Sequence, residues 1–210
     1  MICIISVTGK GDVLARRIEK ELGGDLYLKS EINDFKLNNI MNICFEKYDS
    51  IIFISSTGIA VRAISKYLIS KASDPAVVVV DVCNKFSISL VSGHLGGANN
   101  LTLKVSQVLG NTPVITTATD NMDILAPDVI AMNNDLIIDD FKIAKIIAGR
   151  LVNGESVYFK DDKKIIKCPK GYIETEEIQG NTLWITHKDS RKLKNEENNV
   201  VSYLDDYQDR

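Results

Sequence analysis

A short loop from Ser92 to Asn99 holds the densest group of residues in the sequence that can do chemistry. It combines Gly93, Gly96 and Gly97 with the polar side chains of Ser92, His94 and Asn99. Glycine lets a backbone approach a ligand closely, and the amides that open a following helix attract anions. Histidine titrates near neutral pH and acts as a general base where it reaches a bound water. The loop therefore predicts an anion-binding turn with a candidate catalytic histidine, and a purely structural histidine is the alternative.

Three further polar turns follow predicted strands. They are Thr8-Gly9-Lys10-Gly11, Ser55-Ser56-Thr57-Gly58 and Thr116-Thr117-Ala118-Thr119-Asp120. Ligands of doubly wound sheets bind beyond the carboxyl ends of the strands, where turns meet the starts of helices. We therefore expect these turns and the loop from Ser92 to Asn99 to share one rim of the sheet and to form a cleft.

Other polar residues near these turns have two interpretations each. Arg62 lies on the first turn of a predicted helix, where its guanidinium can hold a carboxylate, or it is a surface arginine. Asp81 and Asp120 end strands, so each either caps a turn or orients His94, and capping is favoured for Asp81. We interpret His187 as structural.

Several common catalytic motifs are missing. The sequence contains neither the dinucleotide-binding glycine pattern nor the phosphate-loop motif, which disfavours dinucleotides and ATP as ligands. It also lacks the Gly-x-Ser-x-Gly elbow of serine hydrolases. The four cysteines do not show metal or redox spacing, so we expect reduced core thiols and no metal site.

Composition points to an ordinary globular protein. The chain has 210 residues, of which 45% are hydrophobic and 25% charged, and its net charge of −3 comes without a basic block. Nucleic acid is therefore an unexpected partner, because phosphate binding requires a basic patch. No apolar run is long enough to span a bilayer and the amino terminus is too short for a signal peptide, so we expect a cytoplasmic protein without membrane contact.

Residues 1–120 alternate short apolar runs with helical patterns, which is typical of a parallel sheet wrapped by helices. The predicted strands are Met1–Val7, Ser50–Ser55, Val77–Val82 and Pro113–Thr117, with Ser87–Leu90 as an edge strand. Helical spacing appears in four stripes, Leu14/Ile18/Leu22, Leu37/Ile40/Met41/Cys44, Val61/Ile64/Leu68 and Ala98/Leu101/Val105/Val108. We expect a Rossmann-like or flavodoxin-like layered α/β domain with a mainly parallel sheet.

Residues 121–210 predict a smaller α/β domain. One helical stripe, Ile143/Ile146/Ile147/Leu151, precedes strand candidates at Ser156–Phe159, Ile165–Lys167 and Thr182–Thr186. The charged segment 188–199 predicts a solvated loop before Val200–Leu204.

Four sequence blocks resemble the CbiG family of cobalamin biosynthesis, the cobalt-precorrin-5A hydrolases. The blocks are Gly58-Ile59-Ala60-Val61-Arg62, Lys71 with Asp74 to Asp81, Leu90 to Asn99, and Val114 to Asp120, and they occur in the order found in the family. The strong resemblance covers about Ile51 to Asp120, and residues 121–205 are similar to the variable middle region. Family members usually carry a third, carboxyl-terminal domain, which we expect to be absent here or to be a separate chain.

The resemblance implies an enzyme that hydrolyses the ring A δ-lactone of a cobalt-corrinoid precursor and releases acetaldehyde. Cobalt then belongs to the substrate, and we expect no cofactor bound by the protein itself. His94, Asn99 and Asp120 are the catalytic candidates under this interpretation, and a contact between His94 and cobalt is the rival role. The candidate substrate-binding residues are Thr8, Gly9, Thr57, Gly58, Arg62, Ser92, Gly93, Gly96, Gly97, Ala98, Thr116, Thr117 and Thr119.

Two other functional classes stay open. The first is a binding module for corrinoid intermediates whose catalysis needs the carboxyl-terminal domain or another enzyme of the pathway. The second is an α/β enzyme that uses a nucleotide or sugar phosphate. A homodimer is compatible with each of these functions.

Overall fold

A computed structural model describes residues 1–70, 73–94, 96–118, 122–186 and 200–204. The chain divides into two compact units, Met1–Thr116 and Thr117–Arg210. Asp120, after which the sequence predicts a domain boundary, lies outside the described residues, and that boundary stays a prediction. No helix in the described part of the chain is long and apolar enough to cross a membrane.

The first unit is a six-stranded sheet in the order β2-β1-β3-β4-β5-β6. Its strands are β1 (Ile2–Ser6), β2 (Asp25–Leu28), β3 (Ser50–Ile54), β4 (Ala76–Val80), β5 (Phe86–Val91) and β6 (Thr112–Val114). Its helices are α1 (Gly9–Leu22), α2 (Leu37–Lys47), α3 (Thr57–Ile64) and α4 (Ala98–Leu109). The predicted α/β fold with a mainly parallel sheet is confirmed.

Unbroken apolar runs form the central strands because both faces of the sheet are covered. Ile51 and Phe53 point into one core cluster with α2 and α3, whereas Ile52 and Ile54 point into the other with α1 and α4. All the residues of β4 are also buried. Complete burial of a valine or isoleucine side chain contributes about 1.5–3 kcal/mol, so these strands anchor the turns at both ends of the sheet.

The chain reverses its winding direction at β1. β2 and β3 pair in parallel with opposite sides of β1, and α1 and α2 therefore leave on opposite faces. A ligand crevice forms at such a switch point, beyond the carboxyl ends of the strands. We call this the C-terminal edge, and we call the edge where β1, β3 and β4 begin the N-terminal edge.

β5 runs antiparallel to β4, which corrects the expectation of an edge strand at Ser87–Leu90. It pairs antiparallel with β4, with Val80 opposite Ser87, and parallel with β6. Ser87–Leu90 is therefore an internal strand and not an edge strand. Only Asp81–Lys85 separates β4 from β5, whereas a crossover between parallel strands needs a dozen or more residues. The ends of β5 and β6 consequently lie at the N-terminal edge.

The remaining differences in this unit concern boundaries. The sequence patterns miss β2, and β6 ends at Val114 instead of Thr117. α3 ends at Ile64, so Val61 and Leu68 of its predicted apolar stripe are exposed, and Ala60, Ala63 and Ile64 face the core. Two of the three residues that face the core are alanines, where larger side chains were expected. Their small size lets this short helix lie close to the sheet.

The second unit contains a five-stranded sheet in the order β7-β11-β10-β8-β9. Its strands are β7 (Ile137–Ile138), β8 (Tyr158–Asp161), β9 (Ile173–Glu174), β10 (Thr182–Ile185) and β11 (Val200–Leu204), and its helices are α5 (Pro127–Asn133) and α6 (Phe141–Val152). Ile147 and Leu151 of α6 pack on Phe159 and Leu183 of the sheet. The helices and strands of this unit agree with the predicted α/β fold class. Segment 188–199 lies outside the described residues.

One predicted strand in the second unit is wrong. Ile165–Lys167 forms no strand, because the Asp161 carboxylate accepts hydrogen bonds from the backbone amides of Lys163, Ile165 and Ile166. These bonds turn the chain directly after β8. The apolar pair Ile165-Ile166 resembles a strand only in composition.

Candidate active site

The histidine loop, Ser92–Asn99, connects β5 to α4 at the N-terminal edge of the sheet. Three backbone hydrogen bonds close it, from Gly97 N to His94 O (2.9 Å), from Ala98 N to Ser92 O (3.1 Å) and from Asn99 N to Gly93 O (3.0 Å). These bonds join both ends of the loop, so the position of His94 is set by the backbone around it.

Glycine is required at two positions of the histidine loop. Gly97 caps α4 with a φ of 81°, in the left-handed region that favours glycine. A Cβ atom on Gly96 would lie 2.3 Å from the Cβ of Ser92 and 2.9 Å from its carbonyl oxygen. The loop can therefore pass over Ser92 only because residue 96 has no side chain.

Ser92 combines backbone strain with an unsatisfied hydroxyl. Its φ is 58°, which is unusual for a residue with a side chain. Its side chain is buried, and its Oγ has no hydrogen-bond partner among the described residues. Such a buried hydroxyl costs about 1–3 kcal/mol, and strain of this kind is concentrated at functional sites.

The two neighbouring glycine amides differ in their availability to a ligand. The Gly97 amide donates to His94 O, as described above, and is occupied. Among the described residues, the backbone amides of Gly96 and Asn100 have no hydrogen-bond partner. An oxyanion at this turn would therefore meet the amide of Gly96, not that of Gly97.

Asn99 supports the loop from beneath. It is buried, and its Oδ1 accepts a hydrogen bond of 2.6 Å from Ser89 Oγ on β5. Ala98 beside it is fully buried in the sheet core. The structure thus gives Asn99 contacts that position the loop, and its predicted part in orienting a nucleophile stays a prediction.

A pocket of about 300 Å³ adjoins the loop between the end of α1 and the start of α4. It is lined by Ile2, Leu22, Ser50, Gly96, Gly97, Asn100, Leu101 and Lys104. Asn100 and Lys104 are not among the site residues predicted from the sequence. Their spacing from Gly97, near one and two helical turns, is the signal that places all three on one face of α4.

The turns after β1 and β3 lie at the C-terminal edge. Thr8 caps α1 by accepting a hydrogen bond of 3.1 Å from Gly11 N, and Thr57 and Gly58 open α3. Arg62 donates from Nη1 to Gly58 O at 3.2 Å, back onto its own helix. Among the described residues, the amides of Gly9, Lys10, Thr57 and Gly58 at the starts of these helices have no partner.

The expected single cleft is therefore wrong. The turns that contain Thr8 and Thr57 lie at one edge of the sheet, and the histidine loop lies at the other because β5 is antiparallel. A five-residue strand such as β3 separates the edges by about 16 Å. The structure brings together the residues of the histidine loop, and separately Thr8, Gly9, Thr57, Gly58 and Arg62.

The other candidates take different places. Thr116 follows β6 at the end of the first unit, and Thr117 begins the second. Thr119 and Asp120 lie outside the described residues. Asp81 is a turn cap, since its carboxylate accepts from the amides of Cys83, Lys85 and Phe86 at the C-terminal edge. No group of three histidine, cysteine or acidic residues within the described ranges is placed to hold a metal ion.

Comparison with known proteins identifies the family. Residues 39–120, which include the whole histidine loop, match the family described as cobalamin synthesis G N-terminal. A cobalt-precorrin-5A hydrolase of Salmonella typhimurium is 35% identical over an alignment of 191 residues that covers 85% of this chain and 54% of the relative. The chain belongs to the CbiG family.

Two further comparisons agree with membership in the CbiG family. A cobalt-precorrin-5A hydrolase of Priestia megaterium is 32% identical over 167 residues, covering 73% of this chain and 45% of that relative. The crystal structure of a cobalamin biosynthesis protein G homologue from Sulfolobus solfataricus has a TM-score of 0.54, with 23% identity over 96% of this chain and 59% of that chain. The fold is thus that of a CbiG homologue, and the chain spans about half the length of its relatives.

Proposed function

We propose that this chain forms the amino-terminal and middle part of a cobalt-precorrin-5A hydrolase, which opens a ring A δ-lactone and releases acetaldehyde. The observation that carries the proposal is the histidine loop. It lies within the residues that match the family, and it combines a candidate base, a free amide donor and an adjoining pocket. Hydrolysis of a lactone needs a base and an oxyanion donor.

The proposed mechanism begins with His94 as general base. The imidazole takes a proton from water while the water oxygen attacks the lactone carbonyl carbon. The Gly96 amide stabilises the resulting oxyanion. The bond between the carbonyl carbon and the ring oxygen then breaks, and His94 returns the proton to that oxygen. The products of this step are a carboxylic acid and an alcohol on the opened ring.

Asn99 serves this mechanism as a positioning residue, because its contact with Ser89 holds the loop. A role of Asp120 in orienting the water stays a prediction, because Asp120 lies outside the described residues. Ser92, Gly93 and Gly97 are proposed to shape the substrate site beside His94.

The C-terminal edge is proposed as a separate anion site. The unpaired amides of Gly9, Thr57 and Gly58 suit a carboxylate, and Thr8 and Arg62 are polar neighbours. Because this edge is about 16 Å from the histidine loop, a group bound there does not touch His94.

The remaining proposals concern partners and surroundings. Cobalt enters as part of the substrate, and the protein itself supplies no cofactor. The carboxyl-terminal part found in longer relatives would act with this chain, and the reaction would take place in the cytoplasm. Neither nucleic acid nor a membrane is part of the proposed function.

The decisive experiment is anaerobic incubation of the chain with cobalt-precorrin-5A, alone and with the carboxyl-terminal part of a longer relative supplied separately. Lactone opening is followed by mass spectrometry and acetaldehyde by a coupled dehydrogenase assay. We expect both products in at least the second mixture. Tight binding without products would instead favour a binding module, and neither binding nor products would overturn the proposal.

A further inference from the structure

The pocket beside the histidine loop has an apolar side and a polar side. Ile2, Leu22 and Leu101 contribute the apolar lining, and Gly96, Asn100 and Lys104 contribute the polar lining. Ile2 lies at the start of β1 and Leu22 at the end of α1, so two rigid elements fix the apolar side. The polar residues come from the start of α4 and the loop before it.

The polar side of the pocket has unused hydrogen-bond donors. Lys104 forms no ion pair or hydrogen bond with any described residue. The backbone amide of Asn100, one turn earlier on the same helix face, likewise lacks a partner among the described residues. A cation and an unpaired amide at a helix start favour a negatively charged ligand.

The end of the pocket at Gly96 contains a second unsatisfied group. Ser92 is 7% exposed, and its hydroxyl has no partner in the described part of the chain. Its Oγ faces Gly96, where a Cβ would lie 3.3 Å from it. Buried polar groups in proteins are almost always hydrogen-bonded. This orphan hydroxyl lies directly behind Gly96, at the end of the pocket that borders the histidine loop.

The size of the pocket restricts the ligand. At about 300 Å³ it is at the lower limit of pockets that hold whole drug-sized molecules, about 300–1,000 Å³. It can hold one short side chain of a large macrocycle but not the macrocycle itself. A short aliphatic stem that ends in a carboxylate matches both the apolar lining and the unpaired donors.

We propose that this pocket binds one acetate or propionate side chain of a tetrapyrrole substrate. The methylene stem packs on Ile2, Leu22 and Leu101, and the carboxylate contacts Lys104 and the amide of Asn100. Because Gly96 belongs to both the pocket and the histidine loop, anchoring this side chain places the adjoining ring next to His94. The inference rests on the proposed function and adds Lys104 as a residue that determines specificity.

The test uses cobyrinic acid, a cobalt corrin whose side chains end in carboxylates, and its methyl ester, in which those groups are neutral. Binding to the full chain is measured by titration calorimetry at low and high salt. Lys104→Met should weaken binding of cobyrinic acid by roughly tenfold to a hundredfold, the range for a hydrogen bond to a charged group. Lys104→Arg should retain most of the affinity, and the methyl ester should bind both proteins equally weakly.

Lys85→Met is the matched control. Lys85 is exposed in the turn after β4 at the opposite edge, so its loss removes the same charge without touching the pocket. Unchanged binding in this variant and weakened binding in Lys104→Met support the proposal. Equal effects of the two substitutions, no effect of Lys104→Met, or no binding by the wild-type chain would overturn it.

Failure of this proposal can be distinguished from failure of the proposed function. Without the subsite, lactone opening by the wild-type mixture would persist and Lys104→Met would leave KM unchanged. Without hydrolase activity, products would be absent although Lys104 still controlled carboxylate binding.

Discussion

Ser92 is held in an unfavourable state by the bonds around it. Its carbonyl accepts from Ala98 N and it adopts a left-handed φ. A residue with a side chain in this region costs about 1–2 kcal/mol relative to the right-handed conformation, in addition to its unsatisfied hydroxyl. The loop tolerates this because β5 and α4 fix its two ends.

Replacing Ser92 with glycine should therefore increase the free energy of unfolding by about 1 kcal/mol, since relief of strain and of the orphan hydroxyl exceeds the added chain entropy. Urea denaturation followed by far-UV circular dichroism measures the change. Ser92→Ala, which removes only the hydroxyl and keeps the strained φ, should gain less. A loss of stability in Ser92→Gly would show that the hydroxyl has a stabilising contact.

A substitution at His94 distinguishes the general-base mechanism from ligation of cobalt by His94. His94→Gln should lower the rate of lactone opening by about 10²- to 10⁴-fold, because it removes the base while preserving a polar side chain of similar size. Binding of cobyrinic acid, measured by titration, should change little. Retained lactone opening together with an altered cobalt absorption spectrum would instead assign His94 to the metal of the substrate.

At the scale of elements, one acidic turn determines the layout of the first sheet. Directly after β4, the Asp81 carboxylate accepts hydrogen bonds from three backbone amides. Asn84 in the same turn has a φ of 58°. The second unit has a similar arrangement, with Asp161 at the end of β8 and Lys164 at a φ of 52°. In both cases a carboxylate satisfies amides that would otherwise remain unpaired as the chain turns.

Asp81→Ala should destabilise the chain by about 1–3 kcal/mol, because the three amides lose their acceptor. The rate of lactone opening per folded molecule should stay unchanged, since this turn and His94 lie at opposite edges. Lys85→Ala in the same turn is the control and should alter neither property. A specific loss of activity in Asp81→Ala at full stability would favour the alternative in which Asp81 orients His94.

The sequence predicts those elements whose side chains have a regular environment. Ile51–Ile54 and Val77–Val80 are buried on both faces, so their unbroken apolar runs identify the central strands. The direction of β5 could also have been inferred, because the five residues after Val80 are too few for a parallel crossover. Asp25–Leu28 lacks such a run, since most of β2 is exposed or half-buried at the edge, and the strand was missed.

Site residues were predictable where glycine and histidine occur together, as in the histidine loop. Lys104 was not, because an exposed lysine on a helix has no distinctive sequence context. Its importance depends on α1, whose end brings Leu22 to the same pocket. That proximity is a property of tertiary packing and not of local spacing.

At the scale of the whole molecule, tryptophan fluorescence can be assigned to one of the two units. The chain contains one tryptophan, Trp184 on β10, and it is buried in the second unit. Its indole donates to Asp162 at 2.9 Å, and Thr186 donates to the same carboxylate at 2.7 Å. The Nζ atom of Lys160 lies 3.4 Å from Oδ1 of Asp162. Tryptophan fluorescence therefore follows the folding of the second unit.

Asp162 should make the second unit sensitive to acid. Burial alone would raise the pKa of Asp162, but hydrogen bonds from Trp184, Thr186 and Lys160 outweigh it and lower the pKa. A lowered pKa stabilises the folded state above the unfolded value of about 3.9, and this contribution is lost as pH falls through the folded-state pKa.

Asp162→Asn should accordingly destabilise the second unit by about 1–3 kcal/mol at neutral pH. The difference from the wild type should begin to shrink as the pH falls through the unfolded-state value of about 3.9, and it should approach zero only below the lower folded-state pKa, where the wild-type carboxyl is protonated. Urea denaturation followed by Trp184 fluorescence at several pH values measures this. A difference that is independent of pH would contradict a charged role for Asp162.

The four cysteines are free, but only Cys3 and Cys44 are core thiols as expected. Their sulfur atoms lie 3.1 Å apart, and this hydrogen bond together with burial raises the pKa of Cys3. Burial also raises the pKa of Cys168, whereas Cys83 is exposed on the turn after β4. The expectation that all four are core thiols is wrong for Cys83, which is exposed, and for Cys168, which is half-buried.

This contrast makes Cys83 the preferred target of a thiol-reactive dye. A maleimide acceptor attached there would occupy the first unit, while Trp184 is a natural donor fixed in the second. The efficiency of energy transfer between them would depend on the distance between these two side chains, and the measurement needs no engineered label site. The unmodified sequence thus already contains a fluorescence donor and an attachment site for the acceptor of an energy-transfer measurement.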